Sequence, residues 1–322
     1  MRIGEQGARR WPGGRGRRVT AVCVVAGACL LGAVSTASAS KLYVDTSGTL
    51  RFAASGGEVN RVDATDIGTG GFTVVTDPGS LIHPGPGCVS VTAHQASCAL
   101  PASGDQDMRI DLSDQDDAAR AVKLGGGSIT INGGVGEDTI ADLPRFGANV
   151  HGGNGDDTIT VHPNFGGSAD VHGDEGNDRI AAISASGVVS GDGNNDVITL
   201  STMVNPPSGP PSAAYGGVGN DWIVANGGTA VGLLDGGDGN DRLSTDEFAT
   251  AATLDGGAGK DLIRTKNLTG GGPFPYAAEI LGGAGPDTID GGGSGDSLAC
   301  GPEVDHYKVY LGDTVTGCEI PF

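Results

Sequence analysis

Nine times between residues 133 and 298 the same eight-residue pattern recurs: Gly-Gly-x-Gly-x-Asp-x-apolar. It reads "GGVGEDTI" from Gly133, "GGNGDDTI" from Gly152, "GDEGNDRI" from Gly173 and "GDGNNDVI" from Gly191. It goes on as "GGVGNDWI" from Gly216, "GGDGNDRL" from Gly236, "GGAGKDLI" from Gly256 and "GGAGPDTI" from Gly282, with "GGGSGDSL" from Gly291 directly after. The sixth place is always Asp: Asp138, Asp157, Asp178, Asp196, Asp221, Asp241, Asp261, Asp287 and Asp296. The eighth is always Ile or Leu, and a second small or aliphatic residue stands two places before the first Gly, from Ile131 to Ile289. Each unit therefore reads as a short strand, a six-residue turn and a second short strand. Successive aspartates lie 19, 21, 18, 25, 20, 20, 26 and 9 residues apart, so the usual step is one coil of about twenty residues.

The fold class this predicts is all-β: a parallel β-roll or β-helix solenoid with one Gly-Asp turn per coil, capped at both ends. Glycine makes up 60 of 322 residues and aromatics only 4 %, which favours many thin layers over one thick core. The Ile and Leu columns are expected to point inward and stack, since no single coil buries enough to fold alone. The long steps hold "VNPPSGPPSAAY" and "TKNLTGGGPFPYA", whose Pro and Gly content makes loops. These are expected on the side opposite the Gly-Asp turns.

Stacking sets a problem for the aspartates. Neighbouring strands lie about 4.8 Å apart, so the carboxylates form a column of like charges. One neighbouring pair repels by about 1 kcal/mol in water and by several times more at an effective dielectric of about 20. A divalent cation between turns converts that repulsion into attraction. Carboxylates and turn carbonyls are hard oxygen donors, which suit Ca²⁺ better than Mg²⁺ or a transition metal. The candidate metal-site residues are the nine sixth-place aspartates and the first-place Gly133, Gly152, Gly173, Gly191, Gly216, Gly236, Gly256 and Gly282. The glycines allow positive φ and a close backbone approach. Asp156, Asp174, Asp192, Asp235, Asp238, Asp255 and Asp290 are further candidates. The competing reading is a solvated charged face, or side chains closing Asx-turns. His151 and His172 read as solvent-facing residues beside the turns. Trp222, on an outward seventh place, reads as packing under a loop or as a platform for a sugar.

Over residues 131 to 299 the pattern resembles the repeats-in-toxin family, whose nonapeptide builds a Ca²⁺-binding parallel β-roll. The resemblance implies several Ca²⁺ ions, each shared by sixth-place aspartates of consecutive turns and by nearby carbonyls. It also implies export, surface-layer or adhesion roles. The chain departs from the pattern in carrying the motif on one side of most coils. Asp174 and Asp192 replace the second Gly, and Asn194 and Ser294 the third.

The ends differ from the middle. Six arginines precede the apolar run Val19 to Val34 and the small-residue stretch "TASAS", which reads as a secretory signal peptide over residues 1–39. The expected location is extracellular, with no membrane span after cleavage. Removing it leaves 13 basic and 38 acidic residues, about −25 net, a charge that repels nucleic acid and anionic membranes and attracts cations. Residues 40–122 read as an N-terminal β-rich cap or as degenerate first coils. "LSDQDDAARAV" from Leu112 looks like a decayed repeat with Asp117 at the sixth place. Four cysteines remain, and disulfides Cys88–Cys98 and Cys300–Cys318 are the expected pairing, each closing a short loop. The first looks like a disulfide-closed hairpin. Residues 300–322 read as a C-terminal disulfide-locked hairpin that covers the last layer of a roll spanning 123–299.

No HExxH or GxSxG motif occurs. The expectation is a secreted, non-enzymatic calcium-binding protein whose folding follows extracellular calcium. The alternatives are an extracellular polysaccharide-acting enzyme, betrayed by a face of basic and aromatic residues, and a cell-surface adhesin. The expected partners are calcium ions and a cell-wall or extracellular glycan.

Overall fold

A computed structural model describes residues 39–66, 72–100, 107–122, 127–143, 147–162, 168–183, 186–201, 212–226, 230–245, 250–266, 278–293 and 295–322. Residues 1–38 of the segment read as a signal peptide, and most of both Pro/Gly insertions, lie outside these residues. Among the described residues every regular element is a strand.

The strands form two sheets of 14 and 15 strands, here called A and B, and the chain alternates between them through most of its length. One coil runs along a strand of sheet A, through a Gly-Asp turn, back along a strand of sheet B, and across to the next coil. Ile129–Val135 and Thr139–Leu143 make one such coil, and Ala148–Asn154 and Thr158–Val161 make the next. Equivalent strands pair in parallel, the geometry of a β-solenoid. In sequence the two long insertions fall between a strand of sheet B and the next strand of sheet A, after Ser201 and after Arg264; the side from which they are expected to project lies outside the described residues.

Register is held by aliphatic ladders. In sheet A, Ile110, Ile131, Val150, Val171, Val189, Ala214, Leu234, Leu254, Ile280 and Leu298 stand opposite one another in turn. In sheet B the eighth-place residues do the same from Ile140 to Ile289. All are buried. A slip of one residue would turn a whole ladder to solvent, and a fully buried Ile or Leu contributes about 1.5–3 kcal/mol. The narrow space between the sheets accepts branched aliphatics in every layer, which explains how so aromatic-poor a chain closes a core.

Two expectations need correction. In six coils the first strand does not stop before the glycines, as Gly134 pairs with Gly153 and Val135 with Asn154, and the turn proper occupies only the fourth to sixth places. At Gly256 and Gly282 the strand ends at Asp255 and Leu281, and the six-residue turn stands. At the C-terminus, His306–Lys308 and Ile320–Pro321 pair in parallel, and Thr314–Thr316 pairs in parallel with Ser297–Ala299. Residues 300–322 thus continue the solenoid rather than folding into a hairpin. Their disulfide, Cys300–Cys318, joins successive coils.

The N-terminal region combines both of its readings. Leu50–Ala53 and Arg61–Asp66 pair in parallel with Met108–Asp111 and Ala118–Val122, as early coils do. Around them Ala39–Val44 and Phe72–Thr76 run antiparallel to the coil strands. Cys88–Thr92 and Gln95–Ala99 form an antiparallel hairpin closed by Cys88–Cys98. Phe52, the largest fully buried side chain among the described residues, fills this end.

Candidate metal centre

The Gly-Asp turns stack into one edge of the solenoid. Within it Asp117, Asp138, Asp157, Asp178, Asp196, Asp221, Asp241, Asp261, Asp287 and Asp305 form a continuous column, each between 0 and 3 % exposed. The backbone N–H of each donates to Oδ1 of the aspartate one coil further on, at 2.7–2.9 Å from Asp117 through Asp287. Oδ1 therefore has a fixed structural task. Oδ2 has none: in all ten residues it is buried without a hydrogen-bond partner.

The glycines divide their work between two physical causes. At the first place the issue is space. A Cβ on Gly236 would stand 2.5 Å from Oδ2 of Asp241 and 2.5 Å from the carbonyl oxygen of Gly256 in the next coil. The equivalent clash with the turn's own Oδ2 and a next-coil carbonyl recurs at the other seven first-place glycines. The unpartnered carboxylate oxygen and a carbonyl oxygen of the next coil thus approach a position that only a missing side chain leaves open. At the second and fourth places the issue is φ, positive at Gly237 (96°) and Gly239 (149°). The departures keep this backbone: Asp174, Asp192 and Asn194 have φ of 70°, 72° and 77°. So do Ser113 and Gln115 in the decayed repeat, and Glu303 ahead of Asp305.

Burial is the main cause that pushes these acids above the ordinary carboxylate range; the backbone N–H bond opposes it, and in all but Asp221 neighbouring carboxylates add to it. Asp117, Asp157, Asp196 and Asp261 rise to about 7. Asp178, Asp221, Asp241 and Asp287 rise to about 6. Asp138 and Asp305 shift the same way. At neutral pH most of the column is therefore at least half ionised. Leaving one buried polar atom unpaired costs about 1–3 kcal/mol, more if charged, against a whole-protein stability of about 5–15 kcal/mol. Ten such atoms together cost about 10–30 kcal/mol, a load that overlaps or passes that range and that bound cations or protons would relieve. Stacked carboxylate and carbonyl oxygens are compatible with the hard-donor demands of Ca²⁺.

Asp296, read as the ninth ligand, does not join the column. The nine-residue step from Asp287 covers half a coil, so Asp296 lies at the opposite edge. There its Oδ1 accepts from the Ala278 N–H, and its own N–H donates to Asp313. Leu298, correspondingly, stacks in sheet A and not in sheet B. Asp305 takes the vacated place in the column, followed by Glu319, whose Oε2 accepts from the Asp305 N–H.

The seven further acidic candidates stand outside the column, but Asp156, Asp174, Asp192, Asp235, Asp238 and Asp255 are near enough for their charge to push its members up. Asp156 accepts from both the backbone and side-chain nitrogens of Asn177. That contact belongs to an exposed fifth-place ladder in which Asn195, Asn220 and Asn240 repeat the arrangement. Sequence reasoning missed this ladder, although the recurrent Asn before Asp carries it. Asp174 and Asp192 bond His151 and His172, whose rings stack at 4.9 Å on the outer face of sheet A. Asp235 and Asp255 are opposite one another on that face, and Asp235 is pushed up first by burial and then by Asp255. Asp238 lies in the turn strand beside Val218. Asp290 faces out of sheet B beside Lys308 and Tyr310.

No family model, no curated protein and no solved structure matches this chain.

Proposed function

We propose that this is a secreted, non-enzymatic calcium-binding solenoid in which Ca²⁺ engages the Oδ2 column and couples folding to extracellular calcium. The observation that carries the reading is the set of ten stacked, buried aspartates with one oxygen committed and the other unpartnered. Asp138, Asp157, Asp178, Asp196, Asp221, Asp241, Asp261 and Asp287 would hold the ions together with first-place carbonyl oxygens, and Asp117 and Asp305 extend the series at its ends. The bound ion supplies charge compensation. The chain's own contribution is to fix Oδ1 by a backbone N–H, to keep the first place free of Cβ, and to exclude water by stacking.

Two disulfides fit an oxidising compartment, and the leader-like N-terminus agrees with export. Resemblance to the repeats-in-toxin pattern supports calcium over other divalent ions. The test is an ion count. Equilibrium dialysis against Ca²⁺ at pH 7.5 in excess Mg²⁺ should find several ions per chain. A stoichiometry of zero or one overturns the reading.

A further inference from the structure

The two outer faces of the solenoid carry opposite charge. Beyond residue 39 the chain has 13 basic residues, and seven lie on the outer face of sheet B. Arg61 and Arg120 are near its N-terminal end, beside Asp63. Arg179, Arg242, Arg264, Lys266 and Lys308 follow further along. Against these, the described residues of that face hold two acids, Asp63 and Asp290. Sheet A turns Asp111, Asp170, Asp235, Asp255 and Glu279 outward. Its basic residues sit at the N-terminal end, where Arg51 and Arg109 are paired with Asp45 and Asp111.

The basic residues of sheet B are not scattered. Strands Trp222–Asn226, Arg242–Thr245, Leu262–Arg264 and Thr288–Asp290 lie side by side, and a shallow groove crosses all four along the solenoid axis. Trp222, Arg242, Ser244, Arg264, Lys266 and Asp290 line it. Trp222 is 46 % exposed, and the Arg242 guanidinium lies 5.9 Å from its ring centroid. Arg264 and Lys266 have no ion-pair partner among the described residues. In a chain this acidic, such clustering is not what uniform solvation of a surface produces.

We propose that this face binds a linear, carboxylated polysaccharide lying along the solenoid axis. Arg242 and Arg264 on adjacent rungs, with Lys266 beside the second, suit a polymer that carries a charge on each sugar. An exposed indole offers a flat apolar surface to a sugar ring, and the flanking Ser and Thr hydroxyls suit a polyhydroxyl ligand. Double-stranded nucleic acid fits less well: the flat face has no element to enter a groove, and the overall charge repels phosphate at longer range. The inference rests on the fold and the face, and does not depend on which ion occupies the aspartate column.

The test uses the purified protein with polygalacturonate as probe and its fully methyl-esterified form as the uncharged control. Trp222 and Trp11 are the only tryptophans, so intrinsic fluorescence, with Trp222→Phe to assign the signal, reads the site directly. Saturable binding to the charged polymer is expected, weakening as salt rises, with at least tenfold weaker binding to the ester. The triple variant Arg242→Gln/Arg264→Gln/Lys266→Gln should lose at least tenfold in affinity while keeping its Tm and calcium response. Should the triple variant fold poorly, Lys266→Gln alone should still weaken binding severalfold. Unchanged affinity in these variants overturns the proposal. So does binding that is lost instead in Asp235→Asn/Asp255→Asn, which would mean calcium bridging to the acidic face. Equal affinity for single-stranded nucleic acid or anionic vesicles overturns the glycan assignment.

Discussion

The backbone N–H of Asp221 donates to Oδ1 of Asp241, one coil further on, at 2.7 Å, while Oδ2 of Asp241 is buried and unpartnered. The two oxygens of one carboxylate therefore do different things, and two substitutions separate them. Asp241→Ala removes the acceptor and leaves the Asp221 N–H buried, costing about 1–3 kcal/mol with or without calcium. Asp241→Asn keeps an acceptor at Oδ1 and removes the charge. Its calcium-free Tm should hold or rise, and its gain in Tm on adding Ca²⁺ should shrink. Thermal melts of both variants with and without calcium check this.

Gly236→Ala should destabilise the middle of the stack even though the φ of Gly236 is ordinary. The added methyl meets Oδ2 of Asp241 and the Gly256 carbonyl oxygen, an overpacking cost of about 1–3 kcal/mol. It should also lower calcium affinity, because it fills the position those two oxygens approach. Isothermal titration of Ca²⁺ into the variant measures it.

The pH dependence of the calcium-free protein should run opposite to ordinary acid denaturation. The folded aspartates titrate at about 6 and 7, above the unfolded value of about 3.9, so the folded state holds more protons. That contribution is full below about pH 4 and is lost as pH rises through the folded values. Melts in chelator should show Tm falling between pH 4 and pH 7. Calcium competes with those protons, so its stabilising effect should be small at pH 4 and largest above pH 7.

Much of this architecture is written in the chain as period. The twenty-residue step places Ile140, Ile159 and Ile180 in one ladder and Asp138, Asp157 and Asp178 in one column, because parallel stacking converts spacing into register. The motif does not encode the edge on which it lands, which is why Asp296 was misassigned. Only its nine-residue step marks the half coil. Asp305 was hidden because Cys300 and Glu303 replace glycines of its turn. Its 18-residue distance from Asp287 was the available signal. The clash at the first place requires coordinates, since it involves a carbonyl from another coil. The basic face was readable only once Trp222, Arg242 and Arg264 were known to share a side of one sheet.

The Cys300–Cys318 bridge spans 18 residues and joins the last coils. A loop of about 15 residues is worth about 3 kcal/mol by chain entropy. Cys300→Ser/Cys318→Ser should therefore speed hydrogen exchange in residues 297–322 while the strands around Leu234 keep their protection. Exchange that rises equally along the whole solenoid would show the stack to be a single cooperative unit.

The most direct measurement follows β-sheet circular dichroism and Tm of the exhaustively chelated protein at pH 7 while CaCl₂ is returned stepwise. The buried Oδ2 column predicts a loose or low-melting chelated state and a cooperative recovery that MgCl₂ at the same concentration does not produce. Full β-sheet signal and an unchanged Tm in chelator would contradict it.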